Sequence, residues 1–74
     1  MVDAINDKSG GYGALAEAVQ AILGAESEAI VMYEQLLAVT DNEASRRTLC
    51  AIVAEERSHV AELKLMLSAL SGEN

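Results

Sequence analysis

The sequence predicts an all-α fold, in which an antiparallel two-helix hairpin pairs with a second copy to form a four-helix bundle. The chain has 74 residues and contains no proline, phenylalanine or tryptophan, and 51% of its residues are hydrophobic while only 3% are aromatic. A composition of this kind favours helix, because aromatic and β-branched residues are the ones enriched in sheets. One short break divides an otherwise helical pattern into two long segments, and a short loop makes such neighbours antiparallel.

Three parts follow one another along the chain. The glycine-rich stretch 9–13 predicts a flexible N-terminal segment that covers residues 1–13. The helical hairpin itself is predicted to occupy residues 14–70. A C-terminal tail, residues 71–74, contains a glycine at the place where helices commonly stop.

The turn of the hairpin divides the two predicted helices, which cover residues 14–39 and about 42–70. Thr40 and Glu43 have the spacing of a capping box, in which the threonine side chain accepts from the backbone at Glu43 and the glutamate side chain reaches back. At 1.5 Å per residue each helix is about 40 Å long. A hairpin of this length has no third element of its own to close its core.

Apolar residues recur at alternating steps of four and three, the pattern of helices that bury one face in a bundle. The predicted seam positions are Leu15, Val19, Ile22, Glu26, Ala29, Tyr33, Leu36 and Thr40 in the first helix, and Leu49, Ile52, Glu56, His59, Leu63, Met66 and Leu70 in the second. Each stripe is wider than one partner helix can cover, because more apolar side chains lie beside it, at Ile30, Leu37, Val53, Val60 and Leu67. We therefore expect a homo-oligomer, either a dimer or a larger ring.

The charge of the chain excludes several classes of function. The net charge is −7, and five basic residues are too few for the clustered phosphate contacts of a nucleic-acid-binding protein. A membrane span needs about 20 apolar residues without charge, and the sequence has no such run. Asp3, Asp7 and Lys8 interrupt the N-terminus, which argues against a signal peptide. The single Cys50 suits a reducing cytoplasm, and we expect it to be a small buried residue.

Three ionisable residues, Glu26, Glu56 and His59, occupy seam positions that are otherwise aliphatic. A carboxylate buried there is unfavourable by several kcal/mol unless it is paired, protonated or bound to a cation. Glu56 and His59 are three residues apart and lie on one helical face, and this Glu-x-x-His spacing lets both bind one metal ion. The three residues therefore predict a metal site.

The two glutamates are predicted to stand at the same level of the hairpin. Glu26 lies nearly four helical turns before Thr40, and Glu56 lies a little more than four turns after it. A two-fold dimer then offers four glutamates and two histidines, the ligand set of a dinuclear carboxylate centre. Two divalent cations would balance the four carboxylate charges, as a buried site requires.

The order Glu26-x6-Tyr33-x22-Glu56-x2-His59 resembles the half-site signature of the ferritin-like superfamily. It is most similar to rubrerythrin-like proteins and to encapsulated ferritins, in which a two-helix hairpin dimerises to build the site. The resemblance covers residues 14–70 and is strongest in the segments AESEAIVMY at 25–33 and AEERSH at 54–59.

The resemblance implies a di-iron centre with two ions per dimer, held by Glu26, Glu56 and His59, in which manganese or zinc could replace iron. Tyr33 would be catalytic, as a hydrogen-bond donor or radical quencher beside the metals, and Glu28 would line the route to the site. The implied activity is that of a ferroxidase, which oxidises ferrous to ferric iron with oxygen or peroxide for iron storage or detoxification. An encapsulin shell is an implied partner, and the implied location is the cytoplasm or that compartment.

Two other functions fit the same residues. One is a rubrerythrin-like di-iron protein that scavenges peroxide, although the chain lacks a rubredoxin-type cysteine cluster and contains one Glu-x-x-His half-site. The other is a non-enzymatic dimerisation module with a structural metal, or with a buried Glu/His cluster that fixes the register between copies. On that view Tyr33 is a large core side chain. Met32 departs from the pattern of the encapsulated ferritins, which often have an aromatic residue at this position.

Overall fold

The computed structural model describes the backbone of residues 8–70 and the side chains of residues 12–70. This part of the chain consists of two helices, α1 (Lys8–Val39) and α2 (Glu43–Leu70), and contains no strand. The helices pack side by side as a hairpin, and the Cα atoms span 51 × 27 × 13 Å. The prediction of an all-helical hairpin is confirmed. The smallest of these extents, 13 Å, means that the hairpin is one helix thick.

Helix α1 begins at Lys8, six residues before the predicted start at Ala14, so the glycine-rich stretch 9–13 is helical. Glycine inside a helix costs about 1 kcal/mol relative to alanine. Unlike proline, however, it keeps its N–H donor and makes no clash with the preceding turn, so a helix continues through it. The rest of the predicted N-terminal segment, residues 1–7, and the tail 71–74 lie outside the described residues.

The turn is built differently from the predicted capping box. The residue that caps α2 is Asn42, whose Oδ1 accepts a hydrogen bond from the backbone N–H of Ser45 at 2.8 Å. Thr40 donates from Oγ1 to the carbonyl of Leu36 at 2.7 Å and so closes the last turn of α1. The prediction of a capping box between Thr40 and Glu43 is wrong, because Asn42 stands directly before the first helical residue and satisfies its N–H groups.

Arg46 joins the two helices at the turn. Its Nη1 donates to the carbonyl of Leu37 at 2.7 Å and to that of Thr40 at 2.8 Å. Carbonyls at the end of a helix have no partner within the helix and carry a partial negative charge. A cation from the first turn of α2 thus satisfies the free carbonyls of α1.

Two ion pairs supplement this contact. Glu43 and Arg47 pair along α2 at 3.8 Å, as their four-residue spacing indicates, and Arg57 of α2 contacts Glu34 of α1. The four side chains are between 43% and 82% exposed, so solvent screens both pairs and each contributes little to stability.

The contact between the helices is narrow. Val19, Leu49 and Val53 are the buried apolar residues among those described. We call the buried and half-buried positions that bring the two helices into contact the inward positions; they include Ala16, Val19, Leu23, Glu26, Ile30, Tyr33 and Leu37 on α1 and Leu49, Val53, Glu56, Val60, Leu63 and Leu67 on α2.

Several predicted seam residues do not face the other helix of the same hairpin. Leu15, Ile22, Leu36 and Met66 are 41 to 49% exposed, because each stands one residue before an inward position and so points about 100° away from it. Residues placed in this way on two antiparallel helices point to the same side of the hairpin. A groove that is lined by Leu36 of α1 and Thr48 of α2 agrees with this geometry.

We call this side the apolar face. It has no charged residue on α1, where it consists of Leu15, Ala18, Ile22, Ala25, Ala29, Met32, Leu36 and Val39. On α2 it is mixed and includes Thr48, Glu55, His59, Glu62 and Met66. The opposite side of the hairpin carries Gln20, Ser27, Glu34 and Arg57 beside the half-exposed Val31. The two sides therefore differ mainly on α1, where one stripe has no charged residue.

Replacement of Arg46 should destabilise the hairpin more than replacement of its neighbour. Arg46→Ala removes two charge-assisted hydrogen bonds and should lower the free energy of unfolding by roughly 1 to 2 kcal/mol. Arg47→Ala, the matched control, removes one exposed ion pair and should lower it by only about 0.3 to 0.5 kcal/mol. Thermal unfolding followed by circular dichroism measures both. Equal effects would show that the contact between Arg46 and the end of α1 contributes nothing.

Candidate metal centre

Glu26 of α1 meets Glu56 and His59 of α2 at the middle of the hairpin. Nδ1 of His59 lies 4.0 Å from Oε1 of Glu26 and 3.8 Å from Oε1 of Glu56. One ligand atom from each of the three residues lies within 4.8 Å of those from the other two. We call this group the Glu/His cluster. Helical spacing places Glu56 and His59 one turn apart, and packing of the hairpin brings Glu26 opposite them.

The two carboxylates are partly withdrawn from water. The side chains of Glu26 and Glu56 are 28% and 22% exposed, but the Oε1 atom of each is buried and has no hydrogen-bond partner. A buried carboxylate oxygen without a donor is destabilising, because the water it has lost is not replaced. Both orphaned oxygens face the same imidazole, so the cluster is a site where a cation or proton would supply the missing interaction.

The protonation of Glu56 reflects this crowding. The Glu26 carboxyl raises the pKa of Glu56 above its ordinary value of 4.5, first through a hydrogen bond that the two groups can share when one is protonated. Burial and the negative charge of Glu26 raise it further, and the nearby His59 acts in the opposite direction. In the absence of a cation, the Glu56 carboxyl therefore resists ionisation.

The spacing of the cluster suits a metal ion. Two ligand atoms that each lie about 2.1 Å from one ion can be at most about 4.2 Å apart. Both distances from the imidazole nitrogen to the carboxylate oxygens fall within this limit. Carboxylate oxygen and imidazole nitrogen are ligands that iron, manganese and zinc share. Three protein ligands leave further coordination positions of such an ion free.

The imidazole is the most accessible part of the cluster. The His59 side chain is 50% exposed and lies on the apolar face, whereas the two glutamates occupy inward positions. Any group that completes the coordination of an ion in the cluster would therefore approach across the apolar face. His59 is also the only histidine of the chain, so no other imidazole can replace it.

The other candidate residues lie apart from the cluster. Tyr33 is half-buried at an inward position two helical turns from Glu26, about 10 Å along α1, and its hydroxyl has no partner among the described residues. Glu28 is exposed. Cys50 is also exposed, so the prediction of a buried cysteine is wrong, because residue 50 follows the inward Leu49 and points away from α1.

Sequence reasoning did not single out Arg46, whose double contact with the end of α1 fixes the turn. A basic residue in the first turn of a helix that follows a tight turn is the signal that could have indicated it. The register that this turn sets determines whether Glu26 stands opposite Glu56.

Comparisons of the chain with protein-family models, with curated proteins and with solved structures found no match. The ferritin-like relationship thus remains a resemblance based on four residues and their spacing. Neither helix within residues 8–70 is long and apolar enough to cross a membrane.

The metal-free chain should lose stability as the pH rises from about 4.5. Since the pKa of Glu56 is higher in the folded than in the unfolded chain, its contribution is fully present below 4.5 and is lost as the pH passes the raised folded value. Glu56→Gln should remove this dependence, so the variant should gain stability relative to the original chain as the pH increases. Melting temperatures measured with a chelator across this range test the prediction.

The control for this experiment is Glu17→Gln, which removes the same charge from an exposed position on α1 outside the cluster. It should leave the slope of stability against pH unchanged. If Glu56→Gln and Glu17→Gln give parallel profiles, the carboxyl groups of the cluster do not interact as described.

Proposed function

We propose that two copies of the chain pack through their apolar faces into a ferritin-like four-helix bundle, and that the two Glu/His clusters form a site that oxidises ferrous to ferric iron. The observation that carries the proposal is the pair of orphaned carboxylate oxygens that face one imidazole in the middle of the hairpin. The resemblance to ferritin-like proteins supports iron as the metal and oxidation as the chemistry.

The apolar surface that a single hairpin leaves in water supports the dimer. Three apolar side chains are buried among the described residues, whereas several larger ones are between 41% and 77% exposed. Those that lie together on the apolar face are Leu15, Ile22, Met32, Leu36, Val39 and Met66. In soluble proteins a large contiguous apolar patch marks a surface that binds a partner. The distribution is consistent with a chain that is half of a folded unit.

The position of the cluster supports a two-fold arrangement. Glu26 lies close to the midpoint of α1 and Glu56 close to the midpoint of α2. A two-fold axis that brings two clusters together therefore also brings the full length of both apolar faces into contact. The same packing would cover the large side chains of the apolar face, which a single hairpin leaves half exposed.

Each residue of the site has a distinct task. Glu26 and Glu56 would hold the ferrous ions by their orphaned oxygens, and His59 would bind through Nδ1, the nitrogen that faces both carboxylates. Four carboxylates would neutralise two divalent ions. The second copy would cover the exposed side of His59 and limit the access of water. Tyr33 lies about 10 Å from Glu26 along α1. At that distance its predicted catalytic role is that of an electron donor to the site.

The reaction takes ferrous iron as its substrate. Two ferrous ions give one electron each to a molecule of oxygen, which takes up two protons and leaves as hydrogen peroxide, while two ferric ions are the products. If peroxide is the oxidant, the same two electrons and two protons convert it to two molecules of water. A larger ring of dimers and association with an encapsulin shell are further proposals that rest on the resemblance alone.

Removal of the ligands should abolish iron binding. The unaltered dimer should bind two ferrous ions per pair of chains in anaerobic equilibrium dialysis, and the double variant Glu56→Ala/His59→Ala should bind none. Glu17→Ala is the control, since this exposed acid lies outside the cluster and its loss should leave binding unchanged. Two ions bound to the double variant would refute the ligand assignment.

The choice of oxidant separates the functions that use these ligands. Faster oxidation of bound iron by oxygen than by peroxide supports a ferroxidase, and the reverse order would replace it with a rubrerythrin-like peroxide scavenger. If the protein binds iron but bound iron is oxidised no faster than free iron, the metal is structural, and the enzymatic proposal is contradicted. Ferric absorbance after rapid mixing measures all three rates.

Metal should also stabilise the folded dimer. At a free concentration 100 times the dissociation constant, a bound ion adds about 2.7 kcal/mol, which corresponds to roughly 11 to 22 °C in the melting temperature of a domain of this size. Manganous ion, which oxygen does not readily oxidise, is a suitable probe. Equal melting temperatures with and without it, or the same increase in Glu56→Ala/His59→Ala, would contradict the proposed site.

A further inference from the structure

Two acidic side chains on the apolar face have no role in the Glu/His cluster. Glu55 precedes His59 by four residues and Glu62 follows it by three, so both flank the imidazole on the same side of α2. Both are exposed in the single hairpin, where water solvates their charges. Within residues 12–70 the apolar face has no lysine or arginine. No basic side chain described on this face is therefore placed to neutralise the two acids.

Dimerisation through the apolar face would withdraw Glu55 and Glu62 from water. A carboxylate that loses its water needs a hydrogen-bond donor or a cation in return. Thr48, which lies on the same face two turns before Glu55, already donates its hydroxyl proton to the carbonyl of Ala44 at 3.1 Å. The imidazole of His59 lies only one turn from each acid and is the donor closest to both.

One nitrogen of this imidazole is available for such a contact. Nδ1 of His59 faces Glu56 at 3.8 Å and Glu26 at 4.0 Å, so it is the nitrogen that an ion in the cluster would bind. When Nδ1 binds a metal, the proton of the neutral ring is on Nε2, which is then a donor. Because Nδ1 turns inward and the side chain is 50% exposed, the opposite edge of the ring, with Nε2, is directed away from the cluster.

The lean of side chains along a helix favours Glu55 over Glu62 as the acceptor. Side chains in a helix point back toward its N-terminus, so the imidazole of His59 extends over the turn that contains Glu55 and Glu56. The side chain of Glu62 leans the same way and reaches the base of His59, whereas Nε2 is at the tip of the ring. A glutamate four residues before its donor is also the favourable order for a helical pair.

We propose that Glu55 is a positioning residue of the metal centre, whose carboxylate accepts a hydrogen bond from Nε2–H of His59 when a second copy covers the apolar face. In the single hairpin His59 contacts the carboxylates of Glu26 and Glu56, and Glu55 is solvated. In the dimer, the turn of Glu55 onto the imidazole would replace the water that the acid loses.

The contact would prepare His59 for its role as a ligand. A carboxylate that accepts from one nitrogen of a metal-binding imidazole fixes the tautomer and the orientation of the ring, and it raises the basicity of the other nitrogen. The inference rests on the proposed function and adds a residue to its site. It holds for either direction of the two-fold axis, because donor and acceptor belong to the same helix.

Zinc binding by two matched variants tests the proposal on the full chain. Zinc takes the same ligands as iron and is not oxidised. Glu55→Ala and Glu62→Ala each remove one carboxylate that flanks His59, and alanine favours helix in both. Loss of the partner of a ligating histidine weakens metal binding about 10- to 100-fold, so calorimetry should show this loss for Glu55→Ala and at most about threefold for Glu62→Ala. Equal losses, or a larger loss from Glu62→Ala, would overturn the proposal.

Proton exchange at His59 gives a readout that a change of charge alone would not move. His59 is the only histidine of the chain, so ¹⁵N-correlated NMR of the zinc-loaded dimer reports one imidazole. The proton on Nε2 should exchange with water several-fold faster in Glu55→Ala than in the unaltered chain or in Glu62→Ala. Glu55→Gln keeps an oxygen acceptor and should restore part of the protection. Equal exchange in Glu55→Ala and in the unaltered chain would overturn the proposal.

Zinc stoichiometry and light scattering separate this proposal from the function on which it rests. A dimer that binds two zinc ions, with unchanged affinity and unchanged exchange in Glu55→Ala, refutes the role of Glu55 alone. An unaltered chain that binds no zinc refutes the proposed function, and the role of Glu55 with it.

Discussion

Two carboxylate oxygens without hydrogen-bond donors, held against one imidazole, are the feature around which this hairpin is organised. Glu26 and Glu56 could have turned into water, because the hairpin is one helix thick and solvent is near on every side. Their Oε1 atoms are instead buried and share a neighbour in His59. An arrangement that is unfavourable for the separate chain becomes favourable when a cation neutralises it.

The rest of the hairpin serves to maintain this arrangement. Asn42 caps α2 and Arg46 holds the carbonyls at the end of α1, so the turn sets the register in which Glu26 stands opposite Glu56. The narrow contact between the helices buries few side chains, and a broad apolar face remains on one side. In the proposed dimer the second copy covers this apolar surface, and the Glu/His cluster lies where the two hairpins meet.

The sequence predicted those features that depend on periodicity. The two helices, the short turn and the common level of Glu26 and Glu56 follow from spacing, which is a property of the helix itself. The side on which each apolar residue lies was harder to predict, because α1 carries two apolar stripes that are offset by one residue. Leu15 and Ile22 fit the predicted seam, yet the helices make contact one residue further on, at Ala16 and Leu23. Only packing decides between two stripes that are both apolar.

Local chemistry accounts for the other differences. A glycine-rich stretch weakens a helix without stopping it, so the start of α1 at Lys8 could not be read from composition. Thr40 and Asn42 compete for the N-cap, and the residue adjacent to the helix prevails. The contact of Arg46 with α1 joins residues nine and six positions apart across a turn, which no helical periodicity encodes.

Crystals of the chain grown anaerobically with ferrous salt, with diffraction recorded at the iron absorption edge, would show whether the Glu/His cluster binds iron. We expect two iron peaks per pair of chains, beside a two-fold axis, each about 2.1 Å from the nearest carboxylate oxygens and from Nδ1 of His59. Crystals in which the iron lies elsewhere, or in which the three side chains surround no iron, would contradict this expectation.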